Sequence, residues 1–251
     1  MILRQYLHTD PTVAASYLVG CGGQGMAMVV DPVFDPAEYL REAQAQGVRI
    51  AYVIDTHVHA DHLSTGRMLA DAAGAPYVLH ADSGATPPFH AVRDGDVLTL
   101  GNVSATVWHV PGHTPEHIAL VITDGRRAKE PWLVFTGHTL MIGDMGRTEL
   151  ASDAATGARA LFASATRLRT LPDYVTVLPG AFSGSVCGRG LSGTPVSSIG
   201  FERRFNHAFA ITDEREFVEL MLRDIPPRPP NASETRAANM GVRLAEARTS
   251  E

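Results

Sequence analysis

The stretch Thr56-His57-Val58-His59-Ala60-Asp61-His62 places three imidazoles and a carboxylate close together in the chain. These groups are costly to bury without a partner, and a bound divalent metal is the partner that suits all four. Residues 51–54 before the cluster are apolar and rich in β-formers, whereas Ser64 and residues 66–70 have the composition of a capped helix start. We therefore predict that the cluster lies where a strand ends and a helix begins.

The spacing inside the cluster indicates how its side chains converge. His57 and His59 are two residues apart, so they project to one face if extended geometry persists beyond the strand. Asp61 and His62 fall in the following turn, from which they can be aimed at the same point. The competing interpretation is a polar loop whose histidines are coincidental, and histidines in a comparable setting further along the chain argue against it.

Two more histidines, His113 and His138, each follow an apolar strand. A site can assemble where strand ends gather at one edge of a sandwich, so the candidate metal ligands are His57, His59, His113 and His138. Imidazole suits zinc, iron, nickel and copper, and ligand type alone does not choose among these metals. His117 closely follows the Pro-Gly-His turn and is predicted to orient a ligand through its other ring nitrogen.

The remaining histidines are predicted to be hydrogen-bonded surface residues, because that is the more common situation of an unliganded histidine. They are His8, His80, His90, His109 and His207. None of them is assigned a role at the metal site.

Length and composition limit the classes to which the protein can belong. The chain has 251 residues, 45% hydrophobic and 19% charged, which is typical of a globular protein with one large core or two small ones. A net charge of −6 and the lack of a basic run argue against binding to nucleic acid or an anionic membrane. With no signal-peptide core or bilayer-long apolar stretch, a cytoplasmic location is expected. Cys21 and Cys187 are too few for a disulfide framework and are expected to be reduced.

Strand and helix patterns alternate in both halves of the chain. Residues 15–20 and 25–30 indicate a β-hairpin, and residues 36–46 indicate a helix that Gly47 closes. In the second half, further strand patterns lead to a helix over 156–171. This recurrence predicts two sheets packed face to face with helices outside, which is an α/β fold of the four-layer αβ/βα sandwich type.

The composition changes beyond residue 180. A Gly/Ser-rich stretch leads to a helix near 214–222, which a proline-rich segment then stops. Residues 236–251 are polar and are expected to lie on the surface. We therefore predict a single domain over residues 1–251, with its core at about 1–180 and a C-terminal extension at about 181–251.

Several motifs together resemble the metallo-β-lactamase superfamily, whose members carry His-x-His-x-Asp-His followed by separated His, Asp and His ligands. The matching stretches are residues 16–21, 56–62, 111–117, 143–147, 184–189 and 197–204. They are similar above all to the persulfide dioxygenase branch, particularly to the metallo-β-lactamase domain of bacterial persulfide dioxygenases fused to rhodanese. The resemblance implies the metallo-β-lactamase sandwich and a metal-dependent enzyme. No rhodanese domain is expected to follow, so the resemblance does not imply sulfur transfer within one polypeptide.

Two departures from the family pattern affect the metal ligands. Where the family has Thr-Gly-Asp, this chain has Thr136-Gly137-His138; that Asp is an iron ligand in persulfide dioxygenases and bridges two metals in glyoxalase II-like hydrolases. Where the family has Pro-Gly-His or Pro-Ala-His, this chain has Pro179-Gly180-Ala181, although that His normally completes the second metal position. The resemblance therefore predicts one metal rather than two.

The first metal position survives these changes, with His138 as a substitute ligand. His57, His113 and His138 would form a neutral three-histidine face, with His59 close by as a candidate fourth ligand. Asp61 and His62 would then act by hydrogen bonding to ligands or to metal-bound water. Replacing Asp by neutral His leaves the site about one unit more positive, which favours an anionic ligand such as a thiolate.

The sequence leaves three candidate functions for the protein. The first is a mononuclear non-haem oxygenase with one Fe(II) per chain, acting with O2 on a thiol, a persulfide or a related small molecule. The second is a mononuclear zinc hydrolase of a thioester or lactone, in which Asp61 would have to act as the base. The third is a non-catalytic protein that retains the fold and binds a partner or a metabolite. The family relatives are commonly dimers or tetramers, so a homo-oligomer is expected.

The resemblance also implies roles outside the histidine cluster. Arg147 matches the family Arg that approaches the glutathione carboxylate, and it would anchor the substrate by bidentate hydrogen bonding. The alternative for Arg147 is an ion pair with Glu149 or Asp144. Cys21 and Cys187 match family cysteines near the site, and an inert buried thiol is the alternative for each.

Overall fold

The computed structural model describes residues 1–10, 12–223 and 225–242. The strands are β1 Ile2–His8, β2 Ala14–Cys21, β3 Met26–Val30, β4 Arg49–Ile54, β5 Tyr77–His80, β6 His90–Val92, β7 Val97–Leu100, β8 Val103–His109, β9 Ile118–Asp124, β10 Leu133–Gly137, β11 Thr176–Pro179 and β12 Ser197–Ser198. The α-helices are α1 Pro36–Ala45, α2 Gly66–Ala73, α3 Ala154–Leu168, α4 Ile199–Phe205, α5 Glu214–Leu222 and α6 Ala232–Asn239. None of the helices in these ranges combines the length and the apolar character that a membrane span requires.

The strands form two six-stranded mixed sheets. The first has the order β1-β2-β3-β4-β5-β6, and its strands from β3 to β6 are parallel. The second has the order β12-β11-β10-β9-β8-β7, and β10 and β11 are its parallel pair. The parallel pairs β3–β4, β4–β5 and β10–β11 are each connected through a helix, as parallel connections commonly are.

Side chains that alternate along the strands divide the interior into layers. Tyr17 and Val19 of β2 face the core between the two sheets, where they pack with residues such as Phe135 of the second sheet. Leu18 points to the opposite face and packs with Tyr39 and other residues of α1 and α2. The outer face of the second sheet packs in the same way against α3 and α5. Both faces of each sheet are therefore covered, which confirms the predicted four-layer αβ/βα sandwich.

Strand ends from both sheets meet at one edge of the sandwich. The carboxyl ends of β3 and β4 lie side by side in the first sheet, and those of β10 and β11 in the second. A backbone hydrogen bond of 2.8 Å from the amide of Ile118 to the carbonyl of Thr56 joins the loop after β4 to the second sheet. The loops that follow these strands therefore bring their polar side chains together at this edge of the sandwich.

Gly112 lies in the turn between β8 and β9, and its conformation and surroundings both require glycine. Its φ of 143° is rarely adopted by residues with side chains, and an added Cβ would lie 2.5 Å from Cα and Cβ of Leu161 in α3. We expect Gly112→Ala to lower the free energy of unfolding by about 2 kcal/mol, as measured by urea denaturation. Gly190→Ala is the matched control, because an added Cβ there meets no atom within 4 Å. Equal stability of the two variants would contradict this prediction.

Several predicted elements are confirmed. Residues 14–30 form the hairpin of β2 and β3, α1 ends two residues before Gly47, and the histidine cluster joins β4 to α2. The first strand, β1, was not predicted. The polar stretch at 236–251 was predicted to lie on the surface, whereas residues 236–239 belong to α6, which contacts the histidine cluster; residues 243–251 lie outside the described residues.

The prediction of a surface location is wrong for two of the five histidines. His8 is buried at the end of β1, where its Nε2 lies 2.8 Å from Oγ of Ser16 and its ring packs against Phe34. His80 is buried at the end of β5, where its ring stacks on that of His109. Each is the last residue of a strand, and the packing of a strand end outweighs the general preference of histidine for the surface.

Candidate metal centre

Three histidines that sequence reasoning selected meet at the edge where the two sheets join. Each of three histidines offers one ring nitrogen, and these three atoms lie within 4.8 Å of one another; the residues are His57, His113 and His138. All three residues are buried. Nε2 of His113 is 3.3 Å from Nδ1 of His138. Two nitrogens bound at about 2.1 Å to one tetrahedral ion lie about 3.4 Å apart, so this pair already has the spacing of ligands on a single ion.

Neighbouring groups fix which nitrogen each ring presents. The hydroxyl of Thr56 donates to Oδ2 of Asp31 over 2.9 Å, so it accepts from Nδ1 of His57, 3.0 Å away. Nδ1 of His113 donates to the carbonyl of Arg147 over 2.7 Å. These bonds assign the protons to the Nδ1 atoms and leave both Nε2 atoms unprotonated, which is the form that binds a metal.

The donor atoms that remain fit a metal ion. Nε2 of His57 is buried and has no hydrogen-bond partner among the described residues. A buried polar atom without a partner costs free energy, and neutral imidazole nitrogens in this arrangement are suitable ligands for Fe(II) or Zn(II). We take the three histidines as a position able to hold one such ion.

Burial keeps these rings neutral. It lowers the pKa of His113 to about 3 and that of His138 to about 4, and it lowers the pKa of His57 well below the ordinary value. A proton therefore does not compete with a metal for these nitrogens near neutral pH.

A stability test follows from these pKa values. The unfolded chain binds protons at His113 and His138 near pH 6.5, whereas the folded chain does so only near pH 3 to 4. The unfolded state therefore holds more protons between these values, and stability falls as the pH drops through that window. We expect the metal-free protein to have a lower free energy of unfolding at pH 5 than at pH 7, with a smaller difference in His113→Asn. His90→Asn, at an exposed site, should leave the difference unchanged; a flat profile in the wild type would refute the prediction.

His59, Asp61 and His62 form a second group, whose ligand atoms also lie within 4.8 Å of one another. The ring of His59 lies beside that of His57, with centroids 4.2 Å apart, but its Nε2 faces Oδ1 of Asp31 at 3.3 Å. Burial opposes a charge on His59, yet its contacts with the carboxylates of Asp31 and Asp61 raise its pKa well above the ordinary value. His59 is thus grouped with the carboxylates, and its predicted role as a metal ligand stays a prediction.

Asp61 is the anion of this second group. Its Oδ1 lies 3.1 Å from Nδ1 of His62 and 3.7 Å from Nδ1 of His59, but neither contact has hydrogen-bond geometry, and both of its carboxylate oxygens are buried without a partner among the described residues. Burial raises the pKa of the carboxyl, and the nearby His62 reverses this effect and holds it well below the usual range. Asp61 is therefore a buried carboxylate available to a cation.

His117 supports two members of the first group. Its Nε2 accepts a hydrogen bond of 3.0 Å from the backbone amide of His138, and its ring stacks on that of His57 with centroids 4.6 Å apart. The ring is completely buried. It therefore fixes the positions of His57 and His138 by contact, and the turn at 111–117 that carries it was a correct signal for a residue of the site.

Arg147 is buried, and its guanidinium is fully engaged. It pairs with Glu149 and donates to the carbonyls of Val186, Pro226 and Pro227 over 2.7 to 3.2 Å. The ion pair with Glu149 is the alternative that the sequence left open. The predicted role of Arg147 as a substrate anchor requires residues 226–227 to move away from it.

Sequence reasoning missed Asp31, which it treated as part of a turn. Asp31 accepts hydrogen bonds from the amide of Thr56 at 2.6 Å and from its hydroxyl, and it also contacts His59. It therefore orients the ring of His57 through Thr56 and that of His59 directly. An acidic residue immediately after an apolar strand, at the same edge as the histidine cluster, was the available signal.

Sequence reasoning also missed two residues of α6 that contact the histidine cluster. Arg236 donates to both carboxylate oxygens of Glu116 at 2.9 and 3.0 Å and to the carbonyl of Val58 at 2.7 Å, while the amide of Val58 donates to Glu116. Asn239 donates to the carbonyls of His59 and His62 at 2.9 and 2.8 Å. The C-terminal helix therefore holds the backbone of the histidine cluster. Nothing local in its polar sequence indicated this contact.

The two cysteines occupy different environments. Cys21 lies in the core between the sheets, near Asn102. Cys187 is buried beside the metal centre, where its sulfur, Asp61 and His138 form another group with ligand atoms within 4.8 Å. Burial raises the pKa of the Cys187 thiol well above its usual value, so it carries its proton when no cation is bound.

Comparison with known proteins identifies the family to which the chain belongs. The family model for the metallo-β-lactamase superfamily matches residues 9–180. The mitochondrial persulfide dioxygenase ETHE1 of Bos taurus is 30% identical over 245 residues, which is 96% of this chain and 88% of the relative. The two proteins can therefore be compared over most of their lengths.

Solved structures extend the comparison. A metallo-β-lactamase from Staphylococcus aureus subsp. aureus COL has a TM-score of 0.89 at 32% identity, over 98% of this chain and 74% of that one. ETHE1 from Myxococcus xanthus has a TM-score of 0.82 at 31% identity, over 96% of this chain and 98% of that one. The protein TTHA1623 in a di-iron-bound form has a TM-score of 0.61 at 27% identity, over 82% and 99%. The chain belongs to the metallo-β-lactamase superfamily and is a metal-dependent enzyme of its persulfide dioxygenase branch.

Proposed function

We propose that the protein is a mononuclear non-haem iron oxygenase that uses O2 to oxidise the sulfur of a small thiol or persulfide. The observation that carries the proposal is the convergence of one ring nitrogen from each of His57, His113 and His138, of which the buried Nε2 of His57 lacks another partner among the described residues. The persulfide dioxygenase relatives and the di-iron form of a structural neighbour support iron as the metal.

The protein supplies three neutral ligands to this ion. His57 and His113 are held by Thr56 and the carbonyl of Arg147, so both present an unprotonated nitrogen without rearrangement. A bound Fe(II) would supply coordination positions for the substrate sulfur and O2 and a route for electrons between them. Because none of the three histidines is charged, the ion keeps its full positive charge toward an incoming anion, which favours a thiolate or persulfide anion over a neutral molecule.

The residues around the three histidines determine how a substrate is received. Burial raises the pKa of the Asp61 carboxyl, but the nearby His62 holds it well below the usual range, so Asp61 can accept a hydrogen bond from a ligand or a water next to the ion. A substrate with a carboxylate would pair with Arg147 after displacing the carbonyls of Pro226 and Pro227 from its guanidinium.

The test is metal content and O2 uptake on protein purified anaerobically with iron supplied. We expect one iron per chain and O2 uptake that depends on glutathione persulfide or a simple thiol. His57→Ala should lose both, whereas His90→Ala, at an exposed site, should keep both. Iron without thiol- or persulfide-dependent uptake would refute the proposal.

A mononuclear zinc hydrolase is the alternative function. The position of the usual bridging carboxylate is occupied by His138, so Asp61 is the carboxylate placed to orient or deprotonate an attacking water. Bound zinc without O2 uptake, together with hydrolysis of thioesters or lactones that Asp61→Asn abolishes, would establish this alternative instead.

A further inference from the structure

A chain of buried polar side chains leads from Tyr39 in α1 to His8 at the end of β1. The hydroxyl oxygen of Tyr39 lies 2.7 Å from Oγ of Ser16, and this Oγ lies 2.8 Å from Nε2 of His8. The backbone amides of Val33 and Phe34 donate to the same Tyr39 oxygen over 3.0 and 3.2 Å. All three side chains of the chain are buried, so water does not compete for these hydrogen bonds.

The two amides fix the direction of every hydrogen bond in the chain. An amide can only donate, so the Tyr39 oxygen accepts twice and its own proton goes to Ser16. Oγ of Ser16 therefore donates to Nε2 of His8, and this nitrogen must be unprotonated. Burial lowers the pKa of His8 to about 4, so the ring is neutral near pH 7. A neutral imidazole has one proton, which in His8 is then on Nδ1.

Nδ1 of His8 is a buried donor that has no acceptor among the described residues. The His8 ring packs against Phe34, whose carbonyl accepts a hydrogen bond of 2.9 Å from the hydroxyl of Thr65. Thr65 is three residues after His62, and His62 is close enough to His8 for its charge to lower the pKa of His8 further. Because a buried donor without an acceptor costs free energy, we expect the acceptor to be on the side of His62.

His62 offers an acceptor of the required kind. Its Nδ1 lies 3.1 Å from Oδ1 of Asp61. An unprotonated nitrogen would place its lone pair against the carboxylate, so the ring proton belongs on Nδ1 and Nε2 is left unprotonated. This Nε2 is buried and lacks a partner within the described part of the chain. The free donor of His8 and the free acceptor of His62 are therefore complementary.

We propose that His8 is a positioning residue of the metal centre, whose Nδ1–H donates to Nε2 of His62, directly or across one water. This contact completes a one-way chain from the amides of residues 33 and 34 to the carboxylate of Asp61. Hydrogen bonds in such a chain polarise and strengthen one another. The chain starts at amides, which keep their protons, so it orients His62 and does not conduct protons.

The oriented ring of His62 in turn holds Asp61. Both oxygens of this carboxylate are buried and lack hydrogen-bond partners among the described residues, so the position of His62 affects which way they face. A fixed Asp61 is ready to accept a hydrogen bond from a ligand or a water next to the ion. This last consequence rests on the proposed function, whereas the chain itself does not.

The experiment is ¹⁵N NMR of the metal-free protein labelled in its histidine rings, because the shift of a ring nitrogen reports whether it carries a proton. We expect His8 and His62 in the wild type both to be protonated on Nδ1. His8→Phe keeps an aromatic ring against Phe34 and should move the Nε2 resonance of His62 to that of a nitrogen without a donor. Ser16→Ala removes the donor to His8 and should move the same resonance less. Ser83→Ala, the control at another buried serine, should not move it.

Two spectral results would overturn the chain: a proton on Nε2 of His8, or a His62 resonance that does not respond to His8→Phe. The wild-type spectrum alone decides the first of them, even if the variants fold poorly. In the iron-loaded enzyme, His8→Phe should lower kcat for O2 uptake by about tenfold without changing KM, and His90→Phe should change neither. Unchanged kcat in His8→Phe would overturn the positioning role. Failure of the iron oxygenase proposal would instead appear as absent O2 uptake in the wild type, with the NMR spectra as expected.

Discussion

His138→Ala is expected to lower the affinity of the first position for Fe(II) by at least about 100-fold, because it removes a ligand rather than a residue that supports one. Anaerobic titration of the metal-free protein with Fe(II) measures this affinity.

The control for this substitution is His117→Phe, which keeps an aromatic ring in contact with His57 but removes the acceptor for the amide of His138. We expect it to weaken iron binding by about tenfold, as the loss of an orienting contact does. Unchanged iron content in His138→Ala would exclude the three-histidine centre. An equal loss of iron affinity in both variants would show that His138 supports the site through its contacts and does not bind the ion.

Arg236→Met is expected to lower the free energy of unfolding by about 3 kcal/mol, which is the scale for removing one partner of a buried ion pair. The side chain of Glu116 is 2% exposed and would keep the amide of Val58 as a donor. The carbonyl of Val58 would lose its bond to Arg236 as well. Urea denaturation of the metal-free protein measures the change.

The matched control is Arg215→Met. Arg215 pairs with Glu219 within α5, but both side chains are largely exposed, so this pair is expected to contribute little to stability. Iron affinity should fall in Arg236→Met and stay unchanged in Arg215→Met, because only Arg236 of the two holds the backbone of the histidine cluster. A small change in Arg236→Met would mean that α6 does not stabilise the site.

The fold was predictable because its signals are local and repeated. Tyr17, Leu18 and Val19 belong to a continuous apolar run that a Gly-rich turn ends, and such a run is typical of a strand buried on both faces. The junction between β4 and α2 was located from the apolar run before His57 and from the helix-start composition of Ser64 and residues 66–70. The first strand was missed because its pattern of half-buried residues does not alternate strictly.

The candidate ligands and the supporting His117 were selected from the sequence, whereas two other residues that support them were not. His57, His113 and His138 are recognisable because metal ligands are few in kind and follow strand ends. Asp31 and Arg236 could not be found in the same way, since each acts through a contact between residues that are distant in sequence. Acidic residues in turns and basic residues in polar helices are common on protein surfaces, where most of them face solvent, so neither type marks a site by itself.

The binding of one iron by three imidazoles is the central claim, and X-ray absorption at the iron edge tests it most directly. The metal-free protein would be loaded anaerobically with one equivalent of Fe(II) per chain. We expect multiple scattering from three imidazoles, with no sulfur neighbour and no iron–iron vector, and the loss of one imidazole in His138→Gln. A spectrum with fewer than three imidazoles, with iron bound to sulfur, or unchanged in His138→Gln would contradict the claim.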